Sequence, residues 1–504
     1  MGSIASELPS IRARTIAIVG AGPSGLVAAK YLRAERAFDK IVLFEQRSSS
    51  GGIWHYTGHY TGHQRDEGLF TVPQTNPFGK NQDPTWRERP RPADGRADGA
   101  DREPSFLSPI YDRLETNIPR GLMGFQDLNW PQDSQLFPKH ETVLEYIQDY
   151  GRDVQDLIRY ETQVTNVEPT DEQNMRWKVQ TRNIRSDVQQ DEEYDAVIVA
   201  NGHFIVPYLP DIPDIKAWDA KYPGAISHAK YYRNPADFKD KKVLIVGNSA
   251  SGTDISTQIA QYSQLPLLWS SKSPSMFNVR TSPTKHERPP ISKFLLSSRG
   301  VEFEDGSSEH DIDAIVFATG YFYSLPFLAN LEPKLITDGS HVNRTYHHLF
   351  YAPRPTLSFL ALPQRVIPFP VAEAQSAVLA RVYSGRLALP SLPSMQAWED
   401  ATEREMGNGR NFHLLSFPKD GNYINMLADW ALSAETRDGL ENEGIGKKPP
   451  VWGEWEFWCR EHFPSIRAAF GALGEKRFRV RTLEEVGFSY EAPVKQKAQE
   501  EMLL

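Results

Sequence analysis

At 504 residues the chain is long enough for two or three domains, and 39% hydrophobic with 24% charged residues is the balance of a globular protein. A net charge of −9 argues against a nucleic-acid footprint, and no run of eighteen apolar residues is present to cross a membrane. Cys459 is the single cysteine, which excludes a disulfide framework, a cysteine zinc site and a redox cysteine pair, and reads as a core thiol.

The first fifteen residues lack an apolar signal core. Met1-Gly2-Ser3-Ile4-Ala5-Ser6 matches the loose myristoylation pattern but reads more simply as an ordinary start, so a cytoplasmic location is expected. Ile16-Ala17-Ile18-Val19 then reads as a buried parallel strand, Gly20-Ala21-Gly22-Pro23-Ser24-Gly25 as a glycine turn, and Leu26 to Arg36 as a helix. A second strand, Lys40 to Phe44, ends on Glu45. Gly20 permits the tight turn, Gly22 lets a pyrophosphate approach the backbone, and Gly25 lets helix and strand pack closely. Glu45 lies twenty positions beyond Gly25, where a carboxylate accepts hydrogen bonds from ribose hydroxyls. Strand, turn, helix and acid together predict a dinucleotide-binding unit.

Gln46 to Trp54 is a loop with a second glycine pair, Gly51-Gly52. His55, His59 and His63 follow four apart, a spacing that stacks metal ligands on a helix, but Gly58 and Gly62 break such a helix and no partner acid has matching spacing. No metal site is therefore assigned. Seven prolines between Thr71 and Pro109, among frequent charges, predict a surface excursion spanning roughly 55–110 that could cover an active-site mouth. Order returns at Tyr111 to Met123, with a helix predicted over His140 to Tyr150 and strands over Gln163 to Glu168, Arg176 to Thr181 and Tyr194 to Ala200.

A second nucleotide unit follows: strand Lys241 to Val246, turn Gly247-Asn248-Ser249-Ala250-Ser251-Gly252, helix Thr253 to Tyr262 and strand Leu265 to Trp269. Ser249 and Ser251 also fit helix capping. The second strand leads into Ser270-Ser271-Lys272 without an acid; hydroxyls and a cation there welcome a 2′-phosphate that a carboxylate would repel, so NADPH is favoured over NADH. Asp311 to Tyr321 is another buried strand and turn, Val371 to Gly385 a helix, and the residues from Asp438 onward read as surface-like. No nucleophilic triad, metal cluster or paired-carboxylate motif is legible.

From about Thr15 to Leu427 the chain resembles class B flavin-dependent monooxygenases, specifically flavin-containing monooxygenases of the fungal, yeast-like type. Tyr222-Pro223-Gly224-Ala225-Ile226-Ser227-His228-Ala229-Lys230-Tyr231-Tyr232 is similar to the pattern FxGxxxHxxx(F/Y), with Tyr222 for the first Phe, and Asp313 to Tyr321 is similar to DxxxxATGY. Baeyer–Villiger relatives carry Trp at the last position of the first pattern, where Tyr232 stands, so ketone oxidation is disfavoured. The resemblance implies an α/β fold of two Rossmann-like domains, the NADPH domain (211–325) inserted in an FAD domain made of 1–210 and 326–504. It implies FAD bound by Gly20, Gly22, Gly25, Glu45, Arg47, Gly52 and Trp54, and NADPH by Gly247, Ser249, Ala250, Ser251 and Lys272. Thr116, Gln163, Val164, Gly320 and Gln375, with Glu373 nearby, are assigned to the cofactors; His228 helps to position the nicotinamide, and Asn117 is the active-site amide beside the flavin. Asn117 before its proline-containing segment also fits a turn residue, His228 a satisfied structural histidine and Gln375 an exposed helix position.

What the resemblance implies chemically is an NADPH- and O2-dependent oxygenation of a soft nucleophile, an amine nitrogen such as an alkaloid's or a thioether sulfur, through a C4a-hydroperoxyflavin. Partners are then a small-molecule substrate and O2, with no nucleic acid, no membrane and a homodimer as the family-level expectation. The alternatives are an NADPH oxidase or reductase that inserts no oxygen, and a non-catalytic scaffold; a coloured, NADPH-reducible protein separates the last.

Overall fold

The computed structural model describes residues 10–58, 77–79, 83–88, 102–170, 176–273 and 283–490. Strand Thr15–Val19 sits near the centre of a seven-stranded sheet, paired in parallel with Lys40–Phe44 on one side and Ala196–Val199 on the other. Successive side chains of a strand point to opposite faces, and both faces here are apolar. Ile16 and Ile18 pack with helices Pro23–Glu35 and Pro368–Tyr383, while Ala17 and Val19 face Val164, Val167, Trp177 and Val179 of a three-stranded antiparallel sheet. Each valine or isoleucine among them, taken fully from water, contributes about 1.5–3 kcal/mol. That two-sided burial is why Ile16 to Val19 reads as an unbroken apolar run.

A second, five-stranded sheet is wholly parallel and runs in the order Ile226–His228, Ala314–Phe317, Val243–Val246, Leu267–Ser270, Lys285–Arg288. Its core lies on both faces, around Trp218 and Phe294 on one and around Ile255 and Ile259 of helix Ala250–Ile259 on the other. Ala196–Val199 and Leu357–Phe359 are neighbours in the first sheet although this entire second sheet lies between them in sequence. The fold is therefore α/β with one Rossmann-like module inserted into another. A short antiparallel pair, Val206–Pro207 with Tyr321–Phe322, closes the neck where the chain enters and leaves the insert.

Several boundaries move for identifiable reasons. The second turn's helix starts at Ala250, three residues before the expected Thr253, the Thr253 N–H already closing the first turn on the Ser249 carbonyl at 2.9 Å. The helix expected from Val371 begins at Pro368; proline is tolerated in a first turn, whose N–H groups have no intrahelical partner. A charged strand, Gln189–Tyr194, was not anticipated, since its outer face is exposed. The clearest correction is C-terminal. Residues expected to be surface-like include helix Glu454–Ala472, which buries Arg460, Phe463, Ile466 and Phe470; Cys459 on the same helix is the core thiol expected of it, and burial pushes that thiol up to about 12. Part of the excursion also departs from expectation: Thr85–Glu88 and Arg102–Ser105 form a hairpin, and Phe106, Ser108 and Ile110 are buried. His59, His63, Met1 to Ser6 and most of 55–110 lie outside the described residues, and no described helix is long and apolar enough to cross a membrane.

Candidate active site

A cleft of about 2490 Å³ touches both nucleotide turns. At the first, Gly20 has φ +104°, and a Cβ there would stand 2.7 Å from the Ala200 carbonyl oxygen; one on Gly25 would stand 2.0 Å from the Gly20 carbonyl oxygen. Neither position admits a side chain. Gly22 caps helix Pro23–Glu35 without a side-chain bond, so the helix's first N–H groups stay open, and a Cβ on Gly52 would lie 3.0 Å from the Gly22 Cα. Two bare backbone stretches thus meet at a helix N-terminus, the arrangement that admits a pyrophosphate. Glu45 is 4% exposed, and its carboxylate accepts from the Ala21 N–H at 2.9 Å and the Arg47 N–H at 2.8 Å. One lone pair on each oxygen remains for hydroxyl donors.

The second turn repeats this geometry. Gly247 has φ +109°, with its hypothetical Cβ 2.5 Å from the Ala318 carbonyl oxygen, and that of Gly252 would stand 2.1 Å from the Gly247 carbonyl oxygen. Ser249 stands at the N-cap but its side chain makes no capping bond, which removes the capping explanation and leaves these N–H groups open too. Beyond strand Leu267–Ser270, Lys272 is exposed and in the cleft wall.

Between the turns runs the segment 111–118. Thr116 N–H donates to the Pro138 carbonyl at 2.9 Å, and Thr116 Oγ1 donates to the Ile118 carbonyl at 2.9 Å. Asn117 lines the cleft, partly buried, and among the described residues its side-chain amide has no hydrogen-bond partner. The structural role of a turn amide is thus unfilled. His228 is 1% exposed, and burial pushes its pKa down to about 3, so the ring is neutral. Its Nδ1 accepts from the Lys230 N–H at 3.1 Å, which assigns the ring proton to Nε2; that nitrogen faces the Gly320 backbone but, among the described residues, has no partner at hydrogen-bond distance. Lys230 is buried beside it, its Nζ donating to the Ile205 carbonyl at 2.6 Å; burial, helped by the charges of Arg233 and Arg47, lowers it to about 7.

Most of the residues singled out from sequence come together in this wall: Gly20, Gly22, Glu45, Arg47, Gly52 and Trp54 at one end, Gly247, Ser249, Ala250, Ser251 and Lys272 at the other. Thr116, Asn117, Gln163, Val164, His228 and Gly320 line it between. Gly25 does not, being packed under Gly20. Gln375 does not either: it is fully buried, its Oε1 accepting from the Ala361 N–H at 2.8 Å and its Nε2 donating to Tyr423 Oη at 3.0 Å. Glu373 is also sealed in the core, where burial raises its carboxyl to about 8. Sequence reasoning missed Asp254, Arg410 and Arg467, which line the cleft from three different segments. No local pattern marks them. Gly252, by contrast, was available as the Gly25 counterpart.

The bare cradles, the open helix ends, and an acid at one strand end against a cation at the other fit a protein that holds two dinucleotides, one through ribose hydroxyls and one carrying a phosphate. Comparison with known proteins makes this specific. Residues 82–285 and 287–441 match the family described as flavin-binding monooxygenase-like, and residues 18–83 match an NAD(P)-binding Rossmann-like domain. The chain is similar to flavin-containing monooxygenase FMO GS-OX-like 2 of Arabidopsis thaliana, 34% identical over 434 residues that cover 82% of this chain and 84% of that one. It is similar to flavin-containing monooxygenase ustF2 of Aspergillus flavus, 29% identical over 494 residues covering 89% and 97%. Among solved structures, the S-allyl-L-cysteine S-oxygenase of Allium sativum superposes with a TM-score of 0.71 at 28% identity, over 98% of this chain and 99% of that one. The chain belongs to the flavin-containing monooxygenase family, whose cofactors are FAD and NADPH.

Proposed function

We propose that this protein is an NADPH- and O2-dependent monooxygenase that oxygenates a soft nucleophile, with a thioether sulfur favoured over an amine nitrogen. The observation that carries the reading is a single cleft joining an acid-ended turn, a cation-ended turn and the amide of Asn117, unbonded among the described residues. Sulfur is favoured because the relative that superposes over 98% of this chain is an S-oxygenase. Residues 1–210 and 326–504 form the FAD-binding part in this reading, and 211–325 the NADPH-binding part.

Bound there, FAD would supply the redox chemistry, reduction by NADPH and delivery of one oxygen atom of O2 to the substrate with the other leaving as water. The chain's residues hold and shelter that chemistry. Gly20, Gly22 and the open start of helix Pro23–Glu35 take the FAD pyrophosphate, and Glu45 takes its ribose hydroxyls. Gly247 and Ser249 take the NADPH pyrophosphate, while Ser271 and Lys272 take the 2′-phosphate. His228, neutral, offers Nε2–H as a donor to the nicotinamide end without adding charge. Asn117 offers an uncharged amide donor at the reacting region, and Phe106 and Phe369 in the cleft wall exclude water.

Turnover under 18O2 tests the proposal. With a thioether substrate, the expected result is one labelled sulfoxide per NADPH consumed. Stoichiometric hydrogen peroxide with no labelled product, across thioethers and amines, would establish an oxidase instead.

A further inference from the structure

The segment that carries Asn117 is tied at both ends to parts of the chain far away in sequence. At its start, Tyr111 Oη donates to Asp254 Oδ2 at 2.5 Å, on helix Ala250–Ile259 of the inserted module, and Gln258 Nε2 donates to the same oxygen at 3.0 Å. Two residues before Asn117, Glu115 has a side chain only 6% exposed. Arg477 Nε donates to both of its carboxylate oxygens at 3.1 Å, and Arg467 Nη2 to one of them at 3.3 Å. Arg467 belongs to helix Glu454–Ala472 and Arg477 to the turn Gly474–Arg479 that follows, both beyond residue 441, where the match to the family ends.

The C-terminal helix does not need these arginines to dock. Cys459, Phe463, Ile466 and Phe470 seat it in the core, Arg460 pairs with buried Asp420 at 2.6 Å, and Trp455 packs on Gly121. A second guanidinium on a carboxylate already paired adds little to docking; what it fixes is the backbone bearing the carboxylate. Among the described residues Asn117 has no side-chain bond of its own, so its direction depends on that backbone, and misplacement by about 1 Å at a reacting centre costs about a hundredfold. Arg467's charge also acts on Asp254, drawing down a carboxyl that burial raises, so the same helix touches both ties.

We infer that Glu115, Arg467 and Arg477 are positioning residues for Asn117, making the C-terminal helix and its turn part of the active site, and that Tyr111 and Asp254 link this segment to the NADPH-binding module. The inference rests on the role proposed above for Asn117.

The test uses FAD-loaded full-length protein carrying Glu115→Gln, Arg477→Gln or Arg467→Gln with Arg477→Gln, and Arg477→Lys, which keeps the charge but loses the fork. Amide hydrogen exchange over residues 111–118 is expected to quicken by about tenfold in the Gln variants, and less in Arg477→Lys. Hydrogen peroxide released per NADPH is expected to rise by about threefold, with FAD content unchanged. Adding Glu115→Gln to the arginine pair is expected to add nothing further. Asp420→Asn, which loosens the helix elsewhere, is expected to lower the melting temperature and leave exchange at 111–118 as it was. If the Gln variants only lower the melting temperature, with exchange and peroxide unmoved, the inference is overturned. Asn117→Ala separates the two readings: peroxide rising there but not in the Glu115 and arginine variants overturns the positioning role alone, and no change there overturns the role of Asn117 itself.

Discussion

The two nucleotide turns share a backbone and differ in what their strand ends present. Gly20 and Gly247 have φ within a few degrees of each other, +104° and +109°, and each passes beneath a strand-end carbonyl, of Ala200 or Ala318. Gly25 and Gly252 each sit against the carbonyl of the first glycine. The middle position does not match: Gly22 lies against Gly52, whereas Ser249 keeps a side chain. The strand ends differ most. Glu45 is buried and folds back on Ala21 and Arg47, while Lys272 is exposed. The outer glycines answer to the fold, and the middle residue and the strand end are where the proposed ligands would be told apart.

The largest way to break that comparison is to fill the outer positions. Gly25→Ala and Gly252→Ala each set a methyl within 2.1 Å of a backbone carbonyl, a clash that costs about 3 kcal/mol or more because backbone must shift. Both are expected to lower the melting temperature sharply, and Gly25→Ala to yield colourless protein.

Acid distinguishes the modules next. Burial depresses His203 and His347 to about 4, His348 to about 3, and His413 well below its ordinary value, all in segments of the first module or C-terminal to the second. Among the described residues around the second sheet, His228 alone, at about 3, behaves this way. Below pH ~6.5 the unfolded chain takes up protons at these sites that the folded chain refuses, so stability is full above that pH and falls as pH drops, by about 1.4 kcal/mol per unit for each proton. Glu373, raised to about 8, opposes the trend with one proton. The melting temperature is expected to fall steadily from pH 7 to 5.5. Chemical denaturation at pH 5.5 should release flavin before the inserted module unfolds; the reverse order, read by FAD fluorescence against far-ultraviolet circular dichroism, would contradict the assignment.

Two substitutions sharpen the strand-end contrast. Glu45→Gln replaces an acceptor facing two N–H groups with an amide that can satisfy one, and removes a charge-assisted bond to ribose. A loss of about 2 kcal/mol, or about thirtyfold in the FAD dissociation constant, is expected by titration of apoprotein. Lys272→Ala is milder, since an exposed cation is screened. The KM for NADPH should rise by about tenfold with that for NADH unchanged; equal rises for both would place the 2′-phosphate elsewhere.

Much of this was legible before any coordinates. The run Ile16 to Val19, the two glycine turns, the helix His140–Tyr150 and the strand Lys40–Phe44 fall where expected, because each is set by near neighbours: side-chain period, glycine sterics, chain breakers. The residues from Asp438 onward, Cys459 apart, misled because the buried positions 463, 466 and 470 are separated by charges and aromatics that read as surface until a partner face is known. Gln375 departs for another reason: the resemblance alone assigned it to the cofactors, whereas Ala361 and Tyr423 satisfy its amide inside the core.

By itself, then, the sequence determined the two cradles, their order and the different ligands their strand ends suit, since steric exclusion at glycine and charge at a strand end act over a few residues. Only the tertiary structure decided which side chains share the cleft. The grip of Arg467 and Arg477 on Glu115, and of Tyr111 on Asp254, joins residues more than a hundred positions apart, and such contacts exist only after two sheets and a C-terminal helix have buried their apolar faces against one another.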